Sequence, residues 1–378
     1  MIGGSSRTRP RVVPRRATVV GNAAAALGVM LATTLTAVTA AAGGPLASAA
    51  SRAVRATPRS VSVPGIQVLT RIACPTTTAC VSVGGSTGNG ATAVIKVATG
   101  SVARGPDTVP DGQLNAVACP TGSSCLAVAD DAVIAVSPVT GAAQVVAAPA
   151  KPAAGIDALG DLACAGAGVC YAVGFEGTEA TSHAVVVALS SSGRIEKTTL
   201  EAGTGSAAVA CPTSTKCLLA DNIAHQLYIQ LLVNGVVGAS HALPPHTYVE
   251  ALSCFGTGAG TAAGICYALG GESASSSSST NEVLPVNPAT GAVGTPVAIG
   301  GHFSGTSLAC VSATICLVAG FLTGTPATAA LVIVNHGKPS APAHYPGQNL
   351  DGVACATATA CFAVGLGPKE AIVDRVNP

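Results

Sequence analysis

Fourteen cysteines and seven histidines hold much of the reactive chemistry of this 378-residue chain. The cysteines fall into seven pairs: Cys74 with Cys80, Cys119 with Cys125, Cys164 with Cys170, Cys211 with Cys217, Cys254 with Cys266, Cys310 with Cys316, and Cys355 with Cys361. Five residues separate the members of every pair except Cys254 and Cys266, which have eleven between them. Zinc sites favour cysteines about two to four residues apart, joined by a second pair or by histidine, so this spacing argues against metal. A five-residue connection between two short strands lets its flanking cysteines face each other across the open end of a hairpin, at bonding distance. Seven structural disulfides are therefore expected, and no cysteine stands outside the pattern to act as a nucleophile.

A second constellation involves imidazoles and carboxylates. His246 with Tyr248, His302 with Phe303, and His344 with Tyr345 each precede the first cysteine of a pair. Glu250 and Asp351 lie four residues before Cys254 and Cys355. Imidazoles and carboxylates meeting at one place could bind a metal or transfer protons. These eight residues are the candidate ligand-binding set. The plainer reading is a set of polar rings on solvated loops. Asp130-Asp131 is likewise read as a polar turn before a calcium pair, and the serine run 275–279 as a solvated loop tip.

The elements that must position these residues come from an internal repeat. Segments such as Val117-Ala-Cys119 with Cys125-Leu-Ala-Val-Ala129 recur seven times, and their first cysteines are spaced 45, 45, 47, 43, 56 and 45 residues apart. That period in all-β sequence matches the four-stranded blade of a β-propeller. The second repeat parses into strands a to d at 114–119, 125–129, 133–137 and 144–148. Turn glycines between c and d recur at Gly100, Gly141, Gly193, Gly235, Gly291 and Gly337. The seventh repeat lacks a strand d, while residues 60–63 form a surplus strand before the first. An N-terminal strand that closes the last blade removes an open sheet edge, so a seven-bladed ring over 60–378 is predicted.

The pattern Ala-Cys-Pro, four residues, then Cys-x-Ala-Val-Gly, seen from Cys119-Pro120 to Ala129 and from Cys211-Pro212 onward, resembles the disulfide-bearing blade repeat of secreted β-propeller proteins from high-GC Gram-positive bacteria. The resemblance spans residue 60 to the end and implies the fold and export, with no single activity attached. WD, kelch and sialidase-type blades carry tryptophan at signature positions, and this chain has none.

Composition narrows the function. Lys and Arg total 18 against 17 Asp and Glu, so the excess of positive charge that nucleic-acid binding demands is missing. A hydrophobic fraction of 49% excludes intrinsic disorder. Arg7, Arg9, Arg11, Arg15 and Arg16 precede an uncharged stretch, 17–50, ending in small residues. Residues 1–50 read as a secretory signal peptide, with a retained membrane anchor as the alternative, and 51–59 as a lead-in. Sec and twin-arginine routes both stay open. The expected protein is a secreted or envelope-associated monomer without a cofactor. Its preferred role is non-catalytic binding or scaffolding of a protein or a cell-envelope glycan through the variable b–c and d–a loop face. The alternative is a metal-dependent hydrolase or lyase acting at the histidine-bearing channel mouth. No Gly-x-Ser-x-Gly, His-Glu-x-x-His or phosphate-loop motif supports it.

Overall fold

The computed structural model describes residues 60–110, 112–148, 156–166, 168–177, 183–201, 205–223, 226–244, 247–255, 264–273 and 279–378. They form seven antiparallel sheets. In six of them the strands follow chain order outward from the centre. Blade 1 shows the plan: Val68–Ala73, Ala79–Ser86, Asn89–Lys96 and Val102–Val109 as strands a to d. Blade 2 has Ala116–Thr121, Ser124–Val128, Val133–Val136 and Ala143–Ala147, each within two residues of the boundaries expected from sequence. The seventh sheet takes Asn349–Thr357, Ala360–Leu366 and Ala371–Val376 from the C-terminal end and Ser60–Val63 from the N-terminal end. Innermost strands neighbour one another in sequence, and the last lies against the first, so the ring is closed. The chain folds as a seven-bladed β-propeller.

The turn glycines explain the c–d hairpins. Gly100, Gly141, Gly193, Gly235, Gly291 and Gly337 all have φ between 68° and 84°, a region that side chains disfavour. All seven disulfides form as paired in the sequence, with Cα atoms 3.9–4.0 Å apart. Cys164, Cys254, Cys310 and Cys355 sit directly opposite their partners in the a–b ladder. Such bonds agree with folding in oxidising surroundings.

The core is divided into seven apolar clusters, one at each blade–blade interface. Second strands are buried on both faces, as in Cys80, Val81, Ser82 and Val83. This explains the repeated Ala-Val: alternate side chains serve two interfaces at once, and both must be small enough to let neighbouring blades approach. The repeated glycine that follows has a different cause. A Cβ on Gly84, Gly174, Gly270, Gly320 or Gly365 would lie 1.9–2.2 Å from a carbonyl oxygen of strand a in the same blade. At that point strand a comes too close to admit a side chain.

The close approach accompanies a β-bulge. In blades 1, 3, 4, 5, 6 and 7 the ladder between strands a and b skips a residue at one shared position: Thr70, Gly160, Ala207, Glu250, Thr306 and Asp351 respectively. Each stands four residues before its first cysteine. A bulge breaks strict alternation and re-aims the residues beside it. The consequence appears in the channel.

Candidate central-channel binding site

The innermost strands surround a chamber of about 420 Å³ on the propeller axis. Most of its lining is small or apolar, including Ala73, Ala118, Ala163, Ala210, Ala251 and Ala354. Against that wall stand three charged residues, Arg71, Asp161 and Glu250, and beside the chamber the main-chain carbonyl of Asp351 accepts a hydrogen bond from Arg71. Arg71 and Asp161 lie three residues before their cysteines, Glu250 and Asp351 four. In an unbroken strand those two positions face opposite sides. At the bulge Glu250 shares the chamber lining with Arg71 and Asp161, two companions that simple alternation does not foresee, and Asp351 feels the same Arg71 from beside the chamber. Their sequence signal is a charge set inside an otherwise apolar strand, as in Leu69-Thr-Arg-Ile-Ala-Cys74 and Leu159-Gly-Asp-Leu-Ala-Cys164.

The same two positions have a structural use in other blades. At the bulged position, Thr70 donates its hydroxyl hydrogen to the Leu114 carbonyl at 2.7 Å, and Thr306 does so to Leu350 at 2.5 Å. Asn115, at the matching place in blade 2, reaches the Leu159 carbonyl at 3.0 Å. These bonds join one blade to the next. One residue further on, Ser307 accepts the Val353 N–H at 3.3 Å, and Asp161 accepts the Val209 N–H at 2.9 Å through Oδ2. Serine performs this task without charge, so the negative charge of Asp161 exceeds what the joint requires. Glu250 and Asp351 replace a hydrogen-bond donor with a carboxylate. Ring geometry does not demand these charges.

Arg71 is the common counter-charge. Its Nη1 donates to its neighbour Thr70 O and across the closing joint to Asp351 O, both at 2.9 Å. Burial raises the Asp161 carboxyl, opposed by Arg71 and by backbone N–H groups of Val209 and Leu162. Glu250, the most open of the three, is raised by burial and lowered by Arg71. Asp351 is pushed up to about 6 by burial, against the pull of Arg71 and of the Asn349 amide, which donates at 2.8 Å. Ionised, the three carboxylates outnumber the single guanidinium.

Among the described residues, the candidate histidines His302 and His344 do not join this group. His302 is exposed at a positive φ of 54°, where its carbonyl accepts both the N–H and the hydroxyl of Thr323. His344 is exposed on an outer strand and pairs with Ala330. Their aromatic neighbours turn inward instead: Phe303 packs between blades 5 and 6 and Tyr345 between blades 6 and 7. Tyr248 is half-buried beside Gly271 in the blade 5 ladder. His246 lies outside the described residues, as do residues 275–278 of the serine run. The expected meeting of histidines with Glu250 and Asp351 is thus corrected for His302 and His344, because the first precedes strand a and the second belongs to the outer edge of its sheet. Asp130 is engaged by the Asn115 amide at 3.1 Å. Among the described residues, no three of His, Cys, Asp and Glu are arranged to hold a metal ion.

No protein-family model matches the sequence, and no curated protein matches it. Solved structures do. The RRP9 WD40 repeats superpose with a TM-score of 0.59 at 9% identity, covering 85% of this chain and 97% of that one. The WD40 β-propeller domain of Doa1 gives 0.55 at 11% identity, with 84% and 95% covered. YCF48 bound to D1 peptide gives 0.56 at 12% identity, with 85% and 96% covered. At these identities the likeness concerns the fold alone. The chain is a seven-bladed β-propeller that shares its fold with these domains and carries no tryptophan.

Proposed function

We propose that this protein is a secreted, non-catalytic module that binds a protein partner, with the channel charges receiving a cationic group of that partner. The observation that carries the reading is the surplus of charge in the channel. Glu250 and Asp351 occupy positions that threonine fills in blades 1 and 6 with a neutral joint. Carboxylates placed where they cost burial energy and serve no joint are what a binding site requires. A lysine or arginine side chain, or an amino group, would supply the positive charge that Arg71 alone brings to three acids. Electrostatic attraction is stronger in a chamber walled by apolar side chains than in bulk water. YCF48, which shares this fold, is a structure captured with a peptide. The variable b–c and d–a loops would frame the partner around the axis. Seven disulfides support export, and the basic, apolar N-terminal segment supports it too.

The test is retention of partners from culture supernatant and cell wall on the immobilised protein and on a Glu250→Gln, Asp351→Asn variant. The expected result is a protein held by the unaltered chain, released by salt, and bound at least tenfold more weakly by the variant. Retention unchanged by the two substitutions, or a glycan as the only species held, would refute the reading. The hydrolase or lyase reading has less support, since His302 and His344 lie apart from the channel acids.

A further inference from the structure

The charges of the channel stand on two facing walls. Arg71 is held at the joint between blades 7 and 1, where Nη1 donates to the carbonyls of Thr70 and Asp351 at 2.9 Å. In a ring of seven that joint lies opposite blade 4. Asp161 of blade 3 accepts the Val209 N–H of blade 4, and Glu250 belongs to blade 5, so the two acids that line the chamber flank the wall opposite the guanidinium. Both nevertheless feel its charge, which lowers each against the effect of burial. Blades 2, 4 and 5 place alanine at the position of Arg71, three residues before the cysteine (Ala116, Ala208 and Ala251), so the ring does not need the guanidinium.

No ion pair spans the gap. Among the described residues Arg194 and Glu196 form the single ion pair, so Arg71 touches neither acid. The two carbonyl bonds fix the guanidinium through Nη1 and leave Nε and Nη2 for another acceptor. A guanidinium edge with two parallel N–H groups is the shape that receives a carboxylate. Between the two poles the wall is apolar, with the methyl groups of Ala118, Ala210 and Ala354. A bare anion on Arg71 would face the two acids, and a bare cation between the acids would face Arg71. A ligand with one charge at each end satisfies both walls. The chamber, about 420 Å³, is of a size that admits a small organic group.

We propose that the chamber recognises a bipolar aliphatic group: a carboxylate on Arg71 and an ammonium on Asp161 and Glu250, joined by a methylene stem that lies on the alanines. A carboxy-terminal lysine of the partner presents such a group. The inference rests on the reading that the channel acids receive a cation, and it adds the anion that accompanies that cation. It also assigns Arg71 a task that a purely cationic ligand leaves it without, since a positive side chain inside a cation site weakens the site.

Titration calorimetry of the full chain near neutral pH with ε-aminocaproate, hexylamine and caproate tests this, the first carrying both charges and the others one each. ε-Aminocaproate should bind at least about tenfold more tightly than hexylamine, the gain of one charge-assisted pair, and caproate should not bind. Arg71→Met should lower ε-aminocaproate to the hexylamine level, and Asp161→Asn with Glu250→Gln should abolish binding of both amines. Equal affinity of the unaltered chain for ε-aminocaproate and hexylamine overturns the proposal and leaves the cation reading standing; no binding of either amine overturns both. If Arg71→Met does not fold, the comparison of the three ligands on the unaltered chain decides.

Discussion

Replacing Asp351 by asparagine should make the protein more stable near neutral pH, although it weakens binding. The carboxyl is mostly buried beside the channel, and its value rises from 3.8 to about 6 despite the nearby guanidinium of Arg71 and the amide of Asn349. Folding thus opposes its ionisation by roughly two pH units, or about 3 kcal/mol at 1.36 kcal/mol per unit. A raised carboxylate value means that this contribution is intact below about pH 4 and is lost as pH rises through about 6. Asparagine keeps the size and removes the charge, yet its amide must find partners in the same space. A gain of about 1–3 kcal/mol at pH 7.5 follows, shrinking to nothing at pH 4. Urea denaturation of the two chains at both pH values measures it. A destabilised variant at pH 7.5, or an equal gain at both pH values, would refute the reasoning, because each would show that the ionised group is not held at a cost. Stability gained together with affinity lost is the pattern expected where binding residues are kept at the expense of the fold.

Further outcomes follow from the same structure. Arg71→Ala removes the charge that lowers Asp161, Glu250 and Asp351, so the Asp351 titration followed by carboxyl NMR should move above 6; a titration that stays in place would show that Arg71 does not sense these acids. Peptide mass spectrometry without reduction should recover seven local disulfides, and any bond between blades would contradict the fold. Replacing both Cys74 and Cys80 by alanine should cost about 2 kcal/mol, the chain-entropy value for so short a loop, read from the denaturation midpoint. Gly174→Ala should destabilise by about 3 kcal/mol or more, since its Cβ would lie 1.9 Å from the Ala158 oxygen and backbone must move to admit it; Gly160→Ala, with nothing within 4 Å, is the neutral control.

Much of the fold was legible because its signals are local. Each cysteine pair marks one a–b hairpin, each turn glycine one c–d hairpin, and seven recurrences count the blades. The surplus strand at 60–63 and the strand missing from blade 7 even revealed how the ring closes. The site was legible only in part. Glu250 and Asp351 were visible as acids near the start of strand a. Arg71 and Asp161 were not, because alternation assigns them to the opposite face. His302, eight residues before Cys310 as His246 is before Cys254, and His344 were read with the channel acids as one candidate set, yet His302 lies in a turn and His344 on an outer strand.

The repeat of cysteines, glycines and small apolar residues therefore determined, by sequence alone, the blade number, the disulfide pairing and the closing strand. These depend on contacts between residues near in the chain, or on a strand count that must balance. Which side chains face the axis was decided only by tertiary structure. The bulge at Thr70, Glu250 and Asp351 goes with the crowding of strand a against a glycine on strand b, and the channel charges come from blades 1, 3 and 5, with Asp351 of blade 7 beside them. Residues so far apart in sequence share one electrostatic environment only after the ring has closed.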